Sequence, residues 1–103
     1  MRHVRIERPG GHAALHVVEA PDPDPGPGEV RIAVDACGVN YADAIIRMGL
    51  YASARKLHGY PITPGFEVAG RIDRVHEGVT GLKLGDPVLA LTLFGGYASS
   101  IVL

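Results

Sequence analysis

Apolar and polar positions alternate along much of the chain. His3 to Arg8 (HVRIER) sets Val4 and Ile6 on one face and His3, Arg5 and Glu7 on the other. That is the pattern of a half-buried strand, since successive strand side chains point to opposite faces. Pro9-Gly10-Gly11 turns the chain, and Ala14 to Glu19 (ALHVVE) is the expected hairpin partner. Residues 20–29 (APDPDPGPGE) contain four prolines and two glycines. Proline fixes φ and removes a donor, so this stretch is expected to be an extended surface connection rather than a helix or an inner strand. Glu29 to Ala36 (EVRIAVDA) alternates strictly, with Val30, Ile32, Val34 and Ala36 inward and Glu29, Arg31 and Asp35 outward.

The period changes at Asn40 to Met48 (NYADAIIRM), where Ala42, Ile45 and Ile46 share a face at helical spacing. Asn40 is suited to the N-cap, Asp43 three residues on completes a variant capping box, and Gly49 stands where the helix should end. Leu50 to Tyr60 has no clear period and reads as a loop, followed by the rigid turn Pro61 to Gly65. Phe66 to Val75 (FEVAGRIDRV) is a strand with Val68, Gly70 and Ile72 on one face. Its parity slips at Asp73-Arg74, which predicts a bulge or the strand's exit. Residues 76–86 form a loop, and Pro87 to Leu93 and Tyr97 to Leu103 are the last strands. Strands with one short helix predict a mainly β fold, a small barrel or folded sheet.

Composition narrows the function classes. The 103 residues suit one domain, and 47% hydrophobic with 20% charged residues is ordinary globular material. A net charge of −1 supplies no general attraction for nucleic acid or an acidic membrane. Cys37 is the only cysteine, so an internal disulfide is excluded and a reducing, cytoplasmic setting is expected. No stretch approaches the roughly 20 apolar residues of a membrane span, and the N-terminus lacks a signal-peptide run.

Candidate chemistry is sparse. His12 and His16 have the i, i+4 spacing of a helical metal pair, but they lie in a strand-like run and read as solvated surface residues. Cys37 has no partner ligands for tetrahedral zinc, and it reads as a small buried cysteine at a strand end. Neither PGPGE nor GLKLGD matches a phosphate-cradling GxGxxG or GxxxxGK[ST]. Arg55, Lys56 and His58 read as a solvated basic loop. Capping accounts for Asn40 and Asp43, and Tyr51 can pack its ring while offering a hydroxyl.

Five stretches in order carry a resemblance: PDPDPGPGEVRIAV, CGVNYADAIIRMGLY, PITPGFEVAGRIDRVHEGV, LGDPV and GGYASSIVL. Together they resemble the N-terminal, chaperonin-10-like (GroES-like) catalytic domain of the medium-chain dehydrogenase/reductase superfamily. The resemblance implies a GroES-like β-barrel with one short helix over residues 1–103, serving as substrate domain, with the Rossmann cofactor domain absent from this chain. Zinc alcohol dehydrogenases of that superfamily keep a ligand cysteine where this chain has Asn40, a proton-relaying hydroxyl at Ala42 and a ligand histidine at Phe66. All three are changed here, and the cysteine-rich zinc lobe is missing from LALTLFGGYAS. GVNYADAIIRMGLY is similar instead to the zinc-independent quinone oxidoreductase branch, which includes vesicle-membrane-protein relatives.

That branch implies hydride transfer from NADPH to quinones or α,β-unsaturated carbonyls without zinc. By position, Asn40 would contact the nicotinamide or the substrate carbonyl, Tyr51 would line the substrate cleft, and Asp43 would hold the helix start. Some members carry a tyrosine where this chain has Ile45. Phe66 and Glu67 would be structural, with the Glu67 carboxylate needing an arginine or backbone donors as partner, since a buried unpaired charge is costly. NADPH is expected to bind the full-length enzyme but not this chain alone. The expected partner is a small carbonyl or quinone substrate, and full-length relatives are expected to form homo-oligomers. The alternatives are a zinc-type alcohol dehydrogenase domain and a non-catalytic stand-alone barrel used for binding or assembly.

Overall fold

Hairpin, central strand and outer strands pair largely as their alternation predicts. In the computed structural model, which describes residues 1–103, β1 (Arg2–Ile6) pairs antiparallel with β2 (Leu15–Glu19), Val4 facing Val17. A one-turn 3-10 helix, His12–Ala14, lies in the connection, and His12 and His16 are exposed as expected. The second sheet runs in the order β5-β4-β3-β6. It comprises β3 (Val30–Cys37), β4 (Glu67–Val75), β5 (Pro87–Leu91) and β6 (Ser100–Val102), each paired antiparallel. Single bridges Ile6↔Ile62 and His3↔Ala98 tie the hairpin to the rest of the chain. No helix is long and apolar enough to cross a membrane.

Two apolar clusters hold this arrangement. Val30, Ile32, Val68 and Ile72 form one on the four-stranded sheet, flanked by Val88, Ala90 and Ile101. Ile6, Ile46, Ala54 and Ile62 form the other, with Tyr51, Tyr60, Phe66 and Phe94 packed against it. The second cluster joins β1 to α1 (Tyr41–Met48) and α2 (Ala52–Leu57). Burying an Ile side chain contributes about 1.5–3 kcal/mol, so these two clusters position everything described below.

Three local expectations are corrected. Leu50 to Tyr60 is not all loop, because α2 forms within it. Only Ala54 of α2 is buried, so no 3.6-residue period shows in the sequence. Ala36 is exposed rather than inward. Val34 pairs with Gly70 and Ala36 with Ala69, so Asp35 is an extra residue that bulges β3 and turns its end outward. Cys37, beyond that bulge, is exposed rather than buried. The predicted slip in β4 is a bulge as well: Arg31 faces Arg74 and Ile32 faces Ile72, leaving Asp73 over. Gly70 is required where β3 and β4 meet, because a Cβ there would lie 2.1 Å from the Ala33 carbonyl oxygen.

Candidate functional site

The start of α1 is closed by reciprocal contacts between Asn40 and Asp43. Asn40 N–H donates to Asp43 Oδ2 at 2.9 Å, and Asp43 N–H donates to the Asn40 carbonyl at 3.0 Å. Asp43 is buried at 5% exposure, which places its carboxylate beneath the helix start instead of in water. A second donor reaches the same oxygen from far along the chain, since Tyr97 OH donates to Asp43 Oδ2 at 2.7 Å. Asp43 Oδ1 has no partner within the chain. Burial first, then the Asp43 hydrogen bond and charge, then Cys37, raise the Tyr97 phenol well above its ordinary pKa.

Tyr97 in turn fixes the turn that precedes β4. Gly65 has φ +108, and a Cβ on it would meet the Tyr97 ring and the Tyr97 nitrogen at 2.7 Å. Tyr97 N–H donates to the Pro64 carbonyl at 2.9 Å, and Gly96 N–H donates to Gly65 at 3.1 Å. The ring of Phe66 then emerges half-buried between two others. Tyr51 meets it edge-on at 6.0 Å between centroids, and Phe94 lies 5.7 Å away on a tilt of 51°. Such aromatic pairs contribute about 0.5–1.5 kcal/mol beyond area burial, enough to hold the ring in place.

Two of the sequence-predicted residues, Asp43 and through it Asn40, are joined to one unpredicted residue, Tyr97. Asp43 accepts from the Tyr97 hydroxyl and Gly65 packs against the Tyr97 ring, while Phe66, the residue after Gly65, pairs with Tyr51. Glu67 departs from expectation. It is exposed, and its side chain makes no hydrogen bond or ion pair in the chain. As the first residue of β4 it leans over the backbone at Gly38, where a Cβ would collide with Oε1 at 1.9 Å. Being in water, it needs no buried partner. Tyr97 and Phe94 are the residues that sequence reasoning missed. The available signal was the Gly95-Gly96 pair beside them, which permits close approach of backbone and ring.

Chemically, the cluster offers the exposed amide of Asn40 beside exposed Val39 and Tyr41, and a half-buried aromatic wall. An amide can donate to a carbonyl oxygen, and an aromatic wall suits a flat, apolar ring. No group of three or more His, Cys, Asp or Glu side chains gathers anywhere in the chain to hold a metal. Around Phe66 the neighbours are Tyr51 and Phe94, neither of which is a ligand set for zinc.

Residues 26–101 match the alcohol dehydrogenase GroES-like domain. Over 102 residues, 95% of the chain, the sequence is 42% identical to a quinone oxidoreductase of Lama guanicoe, covering 29% of it. Over 94 residues, 90% of the chain, it is 43% identical to the synaptic vesicle membrane protein VAT-1 homolog of Danio rerio, covering 19% of it. The whole fold superposes on Escherichia coli quinone oxidoreductase complexed with NADPH, with TM-score 0.89 and 32% identity, covering 100% of this chain and 31% of that one. It also superposes on the human synaptic vesicle membrane protein VAT-1 homolog-like protein, with TM-score 0.91 and 32% identity, covering 100% of this chain and 32% of that one. The chain thus spans 19–32% of the length of these four proteins.

Proposed function

The chain belongs to the alcohol dehydrogenase GroES-like domain family of the medium-chain dehydrogenase/reductase superfamily, and from that premise we propose that it is the substrate domain of a zinc-independent, NADPH-dependent oxidoreductase acting on quinones or α,β-unsaturated carbonyls. The observation that carries the reading is the aromatic clamp on Phe66, with Tyr51 at 6.0 Å and Phe94 at 5.7 Å. It occupies with hydrocarbon a position that a metal-dependent relative would need for a ligand. The flat face it leaves suits a conjugated acceptor.

In this reading a dinucleotide-binding domain outside residues 1–103 carries NADPH, and the bound nicotinamide supplies the hydride. This chain's own residues bind and orient the acceptor. The Asn40 amide donates to the acceptor's carbonyl oxygen, where negative charge builds as hydride arrives. A donor placed there stabilises the transition state more than the ground state. Tyr51 and Phe66 form the apolar wall that aligns the ring and keeps water out. Asp43, held by Tyr97, fixes the Asn40 backbone at the helix start, and Tyr97 fixes the Gly65 turn, so the position from which the amide reaches the acceptor is set before the reaction.

The test is NADPH oxidation with 1,4-benzoquinone or an enone, in a polypeptide joining this chain to its dinucleotide-binding domain. Asn40→Ala is expected to lower kcat by about 10²-fold, as loss of an oxyanion donor does elsewhere, while the protein stays folded with stability reduced by only the roughly 0.5–2 kcal/mol that loss of an N-cap side chain costs. A kcat within twofold of the parent overturns the role of Asn40.

A further inference from the structure

Phe94 packs not only on Phe66 but also on His58, whose ring meets it edge-on at 5.7 Å. Beyond it lies a cavity of about 480 Å³ lined by residues of β1, the end of α2, the Pro61–Thr63 turn and the segment 92–95. Its titratable lining groups are His3, Arg5 and His58, and no Asp or Glu lines it. Thr63 and Thr92 add hydroxyls. This is a concave, one-sided constellation of donors, and the hydride chemistry proposed above makes no use of it.

Arg5 is the telling member. Three arginines are half-buried: Arg5, Arg31 and Arg47. Arg31 spends its guanidinium on Asp73 at 2.8 Å and on the Pro23 carbonyl at 3.2 Å. Arg47 donates to the Gly10 carbonyl at 2.9 Å. Arg5 has only an ion contact, Nε to Glu7 Oε1 at 2.7 Å, with no aligned hydrogen bond at that buried nitrogen and none at either terminal amino group. Glu7 stays outside the cavity lining. Only Nε of Arg5 is buried; its terminal amino groups are bound by no other group of the chain, and the planar fork they form matches a carboxylate or phosphate.

The histidines are already oriented to help. His58 Nδ1 lies 2.7 Å from the Gly59 carbonyl, which fixes that nitrogen as the donor to backbone and leaves Nε2 free. His3 Nδ1 lies 2.9 Å from Thr63 Oγ1, leaving its Nε2 free as well. A free ring nitrogen that carries a hydrogen can donate it to an oxyanion. We propose that this cavity is an oxyanion site, in which Arg5, supported by His58 and His3, receives the carboxylate or phosphate group of a small molecule.

The test is a ¹H–¹⁵N NMR titration of the chain with inorganic phosphate and, separately, acetate, at constant ionic strength and a pH of about 6. Both arms are expected to give saturable shifts centred on Arg5, His58, Thr63 and Phe94, and the arm that saturates at lower concentration identifies the preferred anion. Arg5→Gln is expected to weaken binding by about tenfold or more, since it removes a charge-assisted pair. Glu7→Gln, which releases Arg5 and leaves the lining intact, is expected to tighten binding, and it supplies the answer if the Arg5 variant does not fold. Non-saturating shifts spread equally over exposed Arg8 and Arg74 overturn the proposal, as does binding unchanged in Arg5→Gln or weakened in Glu7→Gln. The measurement involves no redox step, so its failure leaves the oxidoreductase reading untouched, and the converse holds.

Discussion

Replacing Tyr97 by Phe removes one hydroxyl and leaves the ring that packs on Gly65. Asp43 Oδ2 accepts from Tyr97 OH at 2.7 Å and from Asn40 N–H at 2.9 Å, while Oδ1 has no partner. The buried carboxylate thus falls from two donors to one. A hydrogen bond to a charged group is worth about 1.5–3 kcal/mol, so the loss should be about 2 kcal/mol. For a domain of this size that is a fall in Tm of about 8–16 °C. The effect should also depend on pH. Burial and Asp43 hold the Tyr97 phenol above its ordinary value of 10.0 in the folded chain. An unfolded chain releases that proton near pH 10, so the stabilisation is complete below about pH 10 and is lost as pH rises beyond it. Tyr60, also raised chiefly by burial, is present in both proteins and cancels in the difference. Urea unfolding of parent and Tyr97→Phe at pH 8 and about 10.5 should show a gap near 2 kcal/mol that narrows at the higher pH. A gap under about 0.5 kcal/mol at pH 8, or one that does not change with pH, would refute the reasoning; a double-mutant cycle with Asp43→Asn assigns the energy to the pair.

Other expectations follow from the same geometry. Gly65→Ala adds a Cβ at φ +108 and 2.7 Å from Tyr97, and should cost more than about 2 kcal/mol in chemical denaturation; a neutral substitution would mean the turn is not held against Tyr97. Cys37 is exposed, so one thiol per chain should react with Ellman's reagent without denaturant, and a requirement for denaturant would contradict the bulged end of β3. The isolated chain should bind NADPH weakly or not at all in isothermal titration, because its glycine-bearing stretches lack the phosphate-cradling pattern; sub-micromolar binding would overturn that.

Much of the fold was legible because strands record their burial at period 2. The hairpin, the central β3 and even the Asp73 bulge could be read from parity alone. Features that depend on tertiary context could not. The Asp35 bulge exists only in the pairing of β3 with β4 and leaves β3's alternation intact, so Ala36 looked inward by parity, and Cys37 was expected to be buried only because small cysteines at strand ends usually are. The six residues of α2 bury only Ala54, too little to print a helical period. At the candidate site, Asn40, Asp43, Tyr51 and Phe66 were all named from the sequence. Tyr97, which holds the Asp43 carboxylate, was not, since it reaches Asp43 across 54 positions of chain. Glu67 was expected to be buried by analogy with a metal-bearing site, whereas its place at the start of β4 leaves it in water.

Chelation is the most direct test of the central claim that an aromatic clamp replaces a metal here. NADPH oxidation with a quinone acceptor should be measured in a polypeptide joining this chain to the dinucleotide-binding domain proposed above, before and after exhaustive treatment with a zinc chelator. The account predicts an unchanged kcat. Activity lost on chelation and restored by added zinc would contradict it.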